Sequence, residues 1–148
     1  MAEITDQLTP ALQALLRSLD TAGTRRLLRH VVKSLRRSQM RRIARQHNPD
    51  GSRFTPRSID TKRKDQAKGP MFRRIRRAAH LKTSVGTNEG IVFFRSRVER
   101  VARIHHYGGY AAPRPGMRPV QYPRRTLLGF SRQDEREILE SIKRVLLK

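Results

Sequence analysis

Cysteine and tryptophan are absent from this chain, and aromatic residues make up only 5% of it. Without cysteine there can be no disulfide framework and no thiolate metal site. The few aromatics predict a thin, aliphatic core, and 148 residues suit a single domain. No apolar run approaches the roughly 20 residues of a membrane span, and the first residues lack the basic start and apolar block of a signal peptide. We therefore expect a product made in the cytoplasm, without a membrane partner.

Negative charge is also scarce. The chain has 12 acidic residues against 34 lysines and arginines, which gives a formal net charge of +22. An excess of this size repels itself across a compact fold. It therefore favours a partner of opposite sign, either a polyanion such as nucleic acid or the acidic face of a neighbouring protein.

Side chains that could carry catalysis or bind a metal are sparse and poorly placed. His105 and His106 are adjacent, so on a helix they diverge rather than converge on a tetrahedral metal. Acidic residues are dense only in the last helix, where capping explains them, and no pattern fits a nucleophile elbow or a P-loop. We expect no catalytic residues, no metal and no cofactor. One of the two histidines should pack at the helix end, and the other should be exposed.

Hydrophobic periodicity and turn residues divide the chain into helices, strands and loops. The predicted helices cover residues 9–18, 24–46, 71–79, 97–107 and the stretch after 131. The predicted strands cover residues 81–85, 90–95 and, as a short edge strand between prolines, 120–122. Residues 20–23 form a break, residues 52–70 a basic mobile loop, and residues 108–119 a Pro/Gly loop. These elements define an α+β fold in one domain over 1–148, with long N-terminal helices, a small antiparallel β-hairpin or sheet, and a C-terminal helix packed on the sheet.

The apolar positions predict which faces are buried. Residues 91–94 are apolar throughout, which predicts cover on both faces by helices or by another subunit. Ser131 should cap the last helix, with Asp134 at its third position. The buried stripe of that helix should comprise Ile138, Leu139, Ile142, Val145 and Leu146. The inward residues of 71–79 should be Met71, Phe72, Ile75, Ala78 and Ala79, with the arginines facing out.

The most patterned segment lies at residues 97–109. Its helical spacing predicts one buried and one basic face. The buried face should carry Val98, Val101, Ala102 and Ile104. The basic face should carry Arg97, Arg100 and Arg103. Gly108 and Gly109 can adopt the left-handed angles that end a helix.

The long helix is basic along most of its surface. No acidic residue lies between Thr21 and Asn48, so no ion pair along the helix relieves the repulsion. The helix lacks the stacking aromatics of single-strand binders, which slightly favours an acidic protein neighbour over nucleic acid. The candidate contacts with DNA or with an acidic surface are Arg36, Arg37, Arg41, Arg42, Lys62, Arg63 and Lys64.

A series of short motifs runs through nearly the whole chain in a fixed order. They fall at residues 35–44, 46–51, 54–57, 71–72, 81–82, 101–108 and 122–131. The most specific combination is Ala102-Arg-Ile-His-His-Tyr-Gly108 followed by Pro123-Arg-Arg-Thr-Leu-Leu-Gly-Phe-Ser131. In this order the motifs resemble the phage virion morphogenesis family, and within it the S-type tail completion proteins of contractile-tailed temperate phages.

The resemblance implies a structural virion protein, assembled in the bacterial cytoplasm, that finishes the head-proximal end of the tail and makes it competent for head-tail joining. By analogy with tail terminators and neck proteins, it implies a homo-oligomeric ring, commonly a hexamer. Other tail or neck proteins would be its partners, and DNA in the lumen could be touched without specificity. No catalytic residues come with the family. Our interface candidates are Arg97, Arg100, Arg103, His105, Tyr107, Arg124 and Arg125.

The alternative function is non-sequence-specific DNA binding. Total charge and basic helices meet the electrostatic criterion. The sequence has no zinc-finger spacing, no aromatic platform and no recognition helix with base-reading side chains. Any DNA contact should therefore be to phosphates.

Overall fold

The structure is a computed structural model that describes Pro10, Ala14 and residues 17–58 and 68–147. Within those residues, three helices and two small antiparallel sheets confirm the α+β class. The helices are α1 (Thr21–Ala44), α2 (Ser96–Tyr107) and α3 (Arg132–Leu146), and the strands are β1 (Leu81–Val85), β2 (Gly90–Phe94), β3 (Tyr110–Ala111) and β4 (Val120–Gln121). The predicted helix at 9–18 falls largely outside the described residues, as do residues 59–67 of the predicted basic loop. None of the described helices is long and apolar enough to span a bilayer.

The long helix α1 begins three residues earlier than the sequence predicted. Asp20 caps it, because its side chain accepts a hydrogen bond from Gly23 N at 2.7 Å. The predicted break at 20–23 is therefore wrong beyond Asp20, and residues 21–23 form the first helical turn. Leu27, Val32 and Ile43 are buried along one side of the helix.

The strands β1 and β2 pair in register, with Leu81 opposite Phe94 and Thr83 opposite Val92. Leu81 and Phe94 are buried in the core shared with α1. The alternate residues Ile91 and Phe93 are 44% and 39% exposed, because successive side chains of a strand point to opposite faces. No described helix covers the outer face of this hairpin, so its predicted cover by another subunit stays a prediction.

Residues 71–80 form a series of turns instead of the predicted helix. Phe72 has a φ of +68°, a left-handed conformation that a continuous right-handed helix does not contain. Met71, Phe72 and Ile75 pack against the core as predicted. Ala78 and Ala79 are exposed, so their predicted inward orientation is wrong.

The interior consists of two apolar clusters along α1. One cluster joins the end of α1 to the first hairpin and α2 through Ile43, Leu81, Phe94, Ala102 and Leu127. The other joins the first half of α1 to α3 through Leu27, Ile138 and Ile142. The last helix therefore meets the rest of the fold through α1, which also contacts both strands of the hairpin.

The cap of α3 is confirmed in full. Ser131 and Asp134 exchange reciprocal hydrogen bonds, with Ser131 N donating to Asp134 at 2.9 Å and Asp134 N donating to the Ser131 hydroxyl at 3.1 Å. Within the predicted stripe, Ile138 and Ile142 are buried, whereas Val145 is 39% exposed. The inward assignment of Val145 is therefore wrong.

Candidate functional site

Helix α2 presents its arginines to solvent, as the spacing predicted. Ala102 is buried and Val98 packs on the core from the inner side. Arg97, Arg100 and Arg103 are all exposed on the opposite side. Val101 is 48% exposed on that same outer side, so its assignment to the buried face is wrong. The outer side of α2 thus combines cations with an uncovered apolar side chain.

Aromatic and apolar residues extend this surface beyond the end of the helix. Tyr107 and Tyr110 are 68% and 69% exposed, and Met117 and Val120 are 44% and 45% exposed. A groove of about 450 Å³ lies between α2 and the loop that follows β3. Its lining includes Arg100, Val101, Ile104, Ala111, Pro113 and Tyr122. We call the outer residues Arg97, Arg100, Val101, Arg103 and Tyr107, together with this groove, the α2 face.

Among the described residues, the α2 face has one ion pair, which joins Arg103 to Glu99, one helical turn earlier, at 3.0 Å. Both side chains are more than half exposed, so the pair contributes little to stability. Arg103 therefore remains available to an external partner at small cost.

His105 is half-buried on the inner side of α2, where it contacts Arg125 and also lines the groove of the α2 face. Its ring stacks edge-on between Phe72 and Tyr122, with centroids 4.9 and 5.0 Å away. Its Nδ1 lies 3.2 Å from a guanidinium nitrogen of Arg125, so the ring accepts this hydrogen bond in its neutral form. Burial, followed by the charge of Arg125, lowers the pKa of His105 to about 4.

Arg125 is only 3% exposed. Its guanidinium donates to the carbonyl oxygens of Thr55 at 2.8 Å and Pro56 at 3.1 Å. Burial, and then the charge of Arg57, lowers the pKa of Arg125. The side chain therefore holds the 54–56 stretch against α2, whereas its neighbour Arg124 is exposed.

His106 is half-buried, so the expectation that one of the paired histidines would be exposed is wrong. Its Nδ1 accepts a hydrogen bond from Leu128 N at 3.4 Å. Burial lowers the pKa of His106, and the charges of Arg124 and Arg42 add to the effect. In the described residues, no group of three or more histidines and acids is placed to hold a metal ion.

An irregular stretch, residues 123–131, runs through the middle of this arrangement and contains the fully buried Leu127. Side chains from distant parts of the chain satisfy its backbone. Asn48 accepts from Thr126 N at 2.8 Å, and Gln39 accepts from Gly129 N at 3.1 Å. Buried backbone groups need hydrogen-bond partners. These side chains therefore supply to the 123–131 segment the hydrogen bonds that a neighbouring strand would otherwise provide.

Arg42 is the central donor of this network. It donates to the carbonyl oxygens of Thr126 and Leu127 at 3.1 and 2.6 Å, and to Gln39 Oε1. Gln39 Nε2 in turn donates to the Asp134 carboxylate at 3.2 Å, and Ser38 donates to the same carboxylate. Burial lowers the pKa of Arg42 to about 10, although the charge of Asp134 opposes the shift. Arg42 was one of the predicted contacts with DNA or with an acidic surface. Its guanidinium instead points into the protein, so this assignment is wrong.

The remaining predicted cationic contacts are divided. Arg37 and Arg41 are exposed on α1, and Arg36 is half-buried. Lys62, Arg63 and Lys64 lie outside the described residues. A second groove of about 1010 Å³ opens between the end of α1, the 47–51 turn and the start of α3, and its lining includes Arg41, Arg45, Arg132 and Asp50.

Comparison with known proteins assigns the chain to a family. The model of the phage virion morphogenesis family matches residues 4–147. The chain belongs to this family. It is 33% identical over 135 residues to Tail completion protein S of Escherichia phage P2, a match that covers 88% of this chain and 89% of the relative. No solved structure matches the chain.

Proposed function

We propose that this protein is a structural tail completion subunit, which finishes the head-proximal end of a phage tail and makes it competent to join a head. The observation that carries the proposal is a family match over residues 4–147, together with the similarity of 88% of the chain to a protein named for tail completion. The subunit acts by docking to other tail or neck proteins in the virion, and it requires no catalytic step.

The α2 face is the proposed docking site for another virion protein. Its composition supports this role, because protein interfaces are enriched in tyrosine and arginine and place apolar side chains at their centre. Tyr107 and Val101 are exposed here without cover from the described chain. Arg97, Arg100 and Arg103 surround them and are suited to an acidic partner. His105 and Arg125 support this face from within, whereas Arg124 lies exposed at its margin.

We further propose that copies of the chain form a ring. A closed ring repeats one heterologous contact between two different surfaces of each subunit. The outer face of the first hairpin carries the exposed apolar side chains of Ile91 and Phe93 and is distinct from the α2 face. It could therefore serve the contact between copies and leave the α2 face to another protein. A hexamer is the expected closure by analogy with terminator and neck proteins.

Complementation of a phage that lacks this gene tests the docking role. The double substitution Arg100→Glu and Arg103→Glu should leave the urea midpoint unchanged and prevent tails from acquiring heads. The matched control is Arg73→Glu with Arg74→Glu, which reverses two exposed charges on the 71–80 turns and should complement fully. Normal infectious particles from the Arg100/Arg103 variant would remove the α2 face from the interface. Complete, headed tails in the absence of the gene would overturn the tail completion role itself.

A further inference from the structure

One side of α1 carries a continuous row of exposed cations. Arg26, Arg29, Lys33, Arg37 and Arg41 are all exposed and follow one another at intervals of three or four residues. At 100° and 1.5 Å per residue they occupy a sector about 120° wide and about 22 Å long. We call these five residues the α1 basic face.

No group of the described chain neutralises the α1 basic face. Its five side chains have no hydrogen bond or ion pair with any residue in the ranges 17–58 and 68–147. Three successive pairs, from Arg29 to Arg41, place like charges four residues apart, and each such pair costs about 0.2–0.5 kcal/mol in a helix. The fold therefore tolerates this repulsion without internal compensation, which points to an external anion.

The chemistry of the face distinguishes a polyanion from a protein. No large hydrophobic side chain of α1 is among the exposed ones. The exposed tyrosines, Phe93 and Val101 all lie on other elements. Protein interfaces bury an apolar core, whereas surfaces that contact nucleic-acid backbones are polar and strongly positive. The α2 face has the first composition, and the α1 basic face has the second.

The same residues indicate which kind of nucleic acid fits. Single-strand binders stack bases on aromatic side chains, and α1 contains no aromatic residue other than His30. Adenine is read in duplex DNA by exposed amide side chains. The only amide of α1 is Gln39, which is 1% exposed and bonded inside the protein. The α1 basic face thus lacks an amide reader, and its cations are suited to phosphate contacts, which carry no sequence information.

We propose that the α1 basic face binds the phosphate backbone of duplex DNA without sequence preference. This inference goes beyond the assembly role, because it concerns a different surface and a different class of partner. The groove at the end of α1 extends the positive surface, since Arg41 lines it together with Arg45 and Arg132. The two faces divide the work of the subunit between protein on α2 and DNA on α1.

The salt dependence of DNA binding tests the proposal quantitatively. The full chain is titrated into two unrelated blunt duplexes of about 30 base pairs, between about 50 and 200 mM salt, and binding is followed by fluorescence anisotropy. The slope of log K against log salt concentration is about −0.9 per phosphate neutralised. The triple substitution Arg29→Gln, Lys33→Gln and Arg37→Gln should reduce the slope by about 2.7 and affect both duplexes equally.

A matched control separates the face from the total charge. The triple substitution Arg97→Gln, Arg100→Gln and Arg103→Gln removes an equal number of positive charges from the α2 face. It should leave the slope of log K against log salt concentration unchanged. Urea midpoints should remain at or above that of the unaltered chain for the α1 variant, because like-charge repulsion is removed. Equal slope changes in the two variants, or none in the α1 variant, would overturn the proposal. An α1 variant that retains DNA binding but loses attachment to purified tails would assign the face to an acidic protein instead. The outcome of this DNA-binding experiment does not depend on whether the tail completion role is correct, since that role is tested separately by complementation.

Discussion

Replacement of Asp134 by alanine should destabilise the protein by about 2–4 kcal/mol. The carboxylate is 2% exposed and accepts hydrogen bonds from Ser38, Gln39 and Ser131 N. Loss of a helix cap costs about 1 kcal/mol. A buried donor left without its acceptor costs about 1–3 kcal/mol more, and Gln39 Nε2 would be such a donor. Gln39 also orients Arg42, so the effect should spread to the 123–131 segment.

Urea unfolding followed by far-UV circular dichroism measures this loss. With a slope of about 2 kcal/mol per molar urea for a domain of this size, the midpoint should fall by about 1–2 M. Glu140→Ala is the matched control, since it removes a carboxylate of the same helix whose one ion pair within the described part of the chain is with the exposed Lys143, at 3.3 Å. Its effect should stay within about 0.5 kcal/mol. Equal midpoints for the two variants would refute the reasoning that Asp134 supports a buried network.

Two further predictions concern the end of α2. Gly108→Ala should cost about 2–3 kcal/mol, because φ is +72° and the new Cβ would lie 3.0 Å from Arg124 N. Gly116→Ala has a similar φ but open space around it, so it should cost about 1 kcal/mol; equal urea midpoints would contradict the proposed close approach. In acid, His105 of the unfolded chain takes up a proton near its ordinary pKa of 6.5, whereas burial in the folded chain lowers the pKa of His105 to about 4. The free energy of unfolding should therefore fall as pH falls between these values. His105→Gln should make the urea midpoint decline less steeply with pH, and the part of the decline that remains should come from His106. An unchanged decline would show that His105 does not cause the loss of stability.

The regular elements could be predicted because their signals are local. The repeat of Leu27, Val31 and Val32 marked the long helix, and the glycine-containing loop at 86–90 between two predicted strands marked the hairpin. The capping residues of α3 were recognisable from Ser131 and Asp134 alone. The turns at 71–80 were missed because an apolar spacing of three or four residues does not reveal that Phe72 takes a positive φ.

The site was predicted only where exposure follows from helix geometry. The outward placement of Arg97, Arg100 and Arg103 needs only a period of 3.6 residues. The inward placement of Arg125 and Arg42 could not be derived in that way, because their acceptors are backbone carbonyls 69 to 85 positions away in the chain. Long-range partners of this kind leave no periodic signal.

The dependence of the 123–131 segment on remote side chains has a consequence for synthesis on the ribosome. Arg42, Gln39 and Asn48 are translated early, but the carbonyls and amides they serve emerge about 80 residues later. Until then Arg42 lacks two of its carbonyl acceptors, and the core lacks the buried side chain of Leu127. A product terminated before this segment cannot close its interior, so host proteases should remove it. Only finished subunits would then be available to the virion, which gives assembly a check on completeness that requires no separate factor.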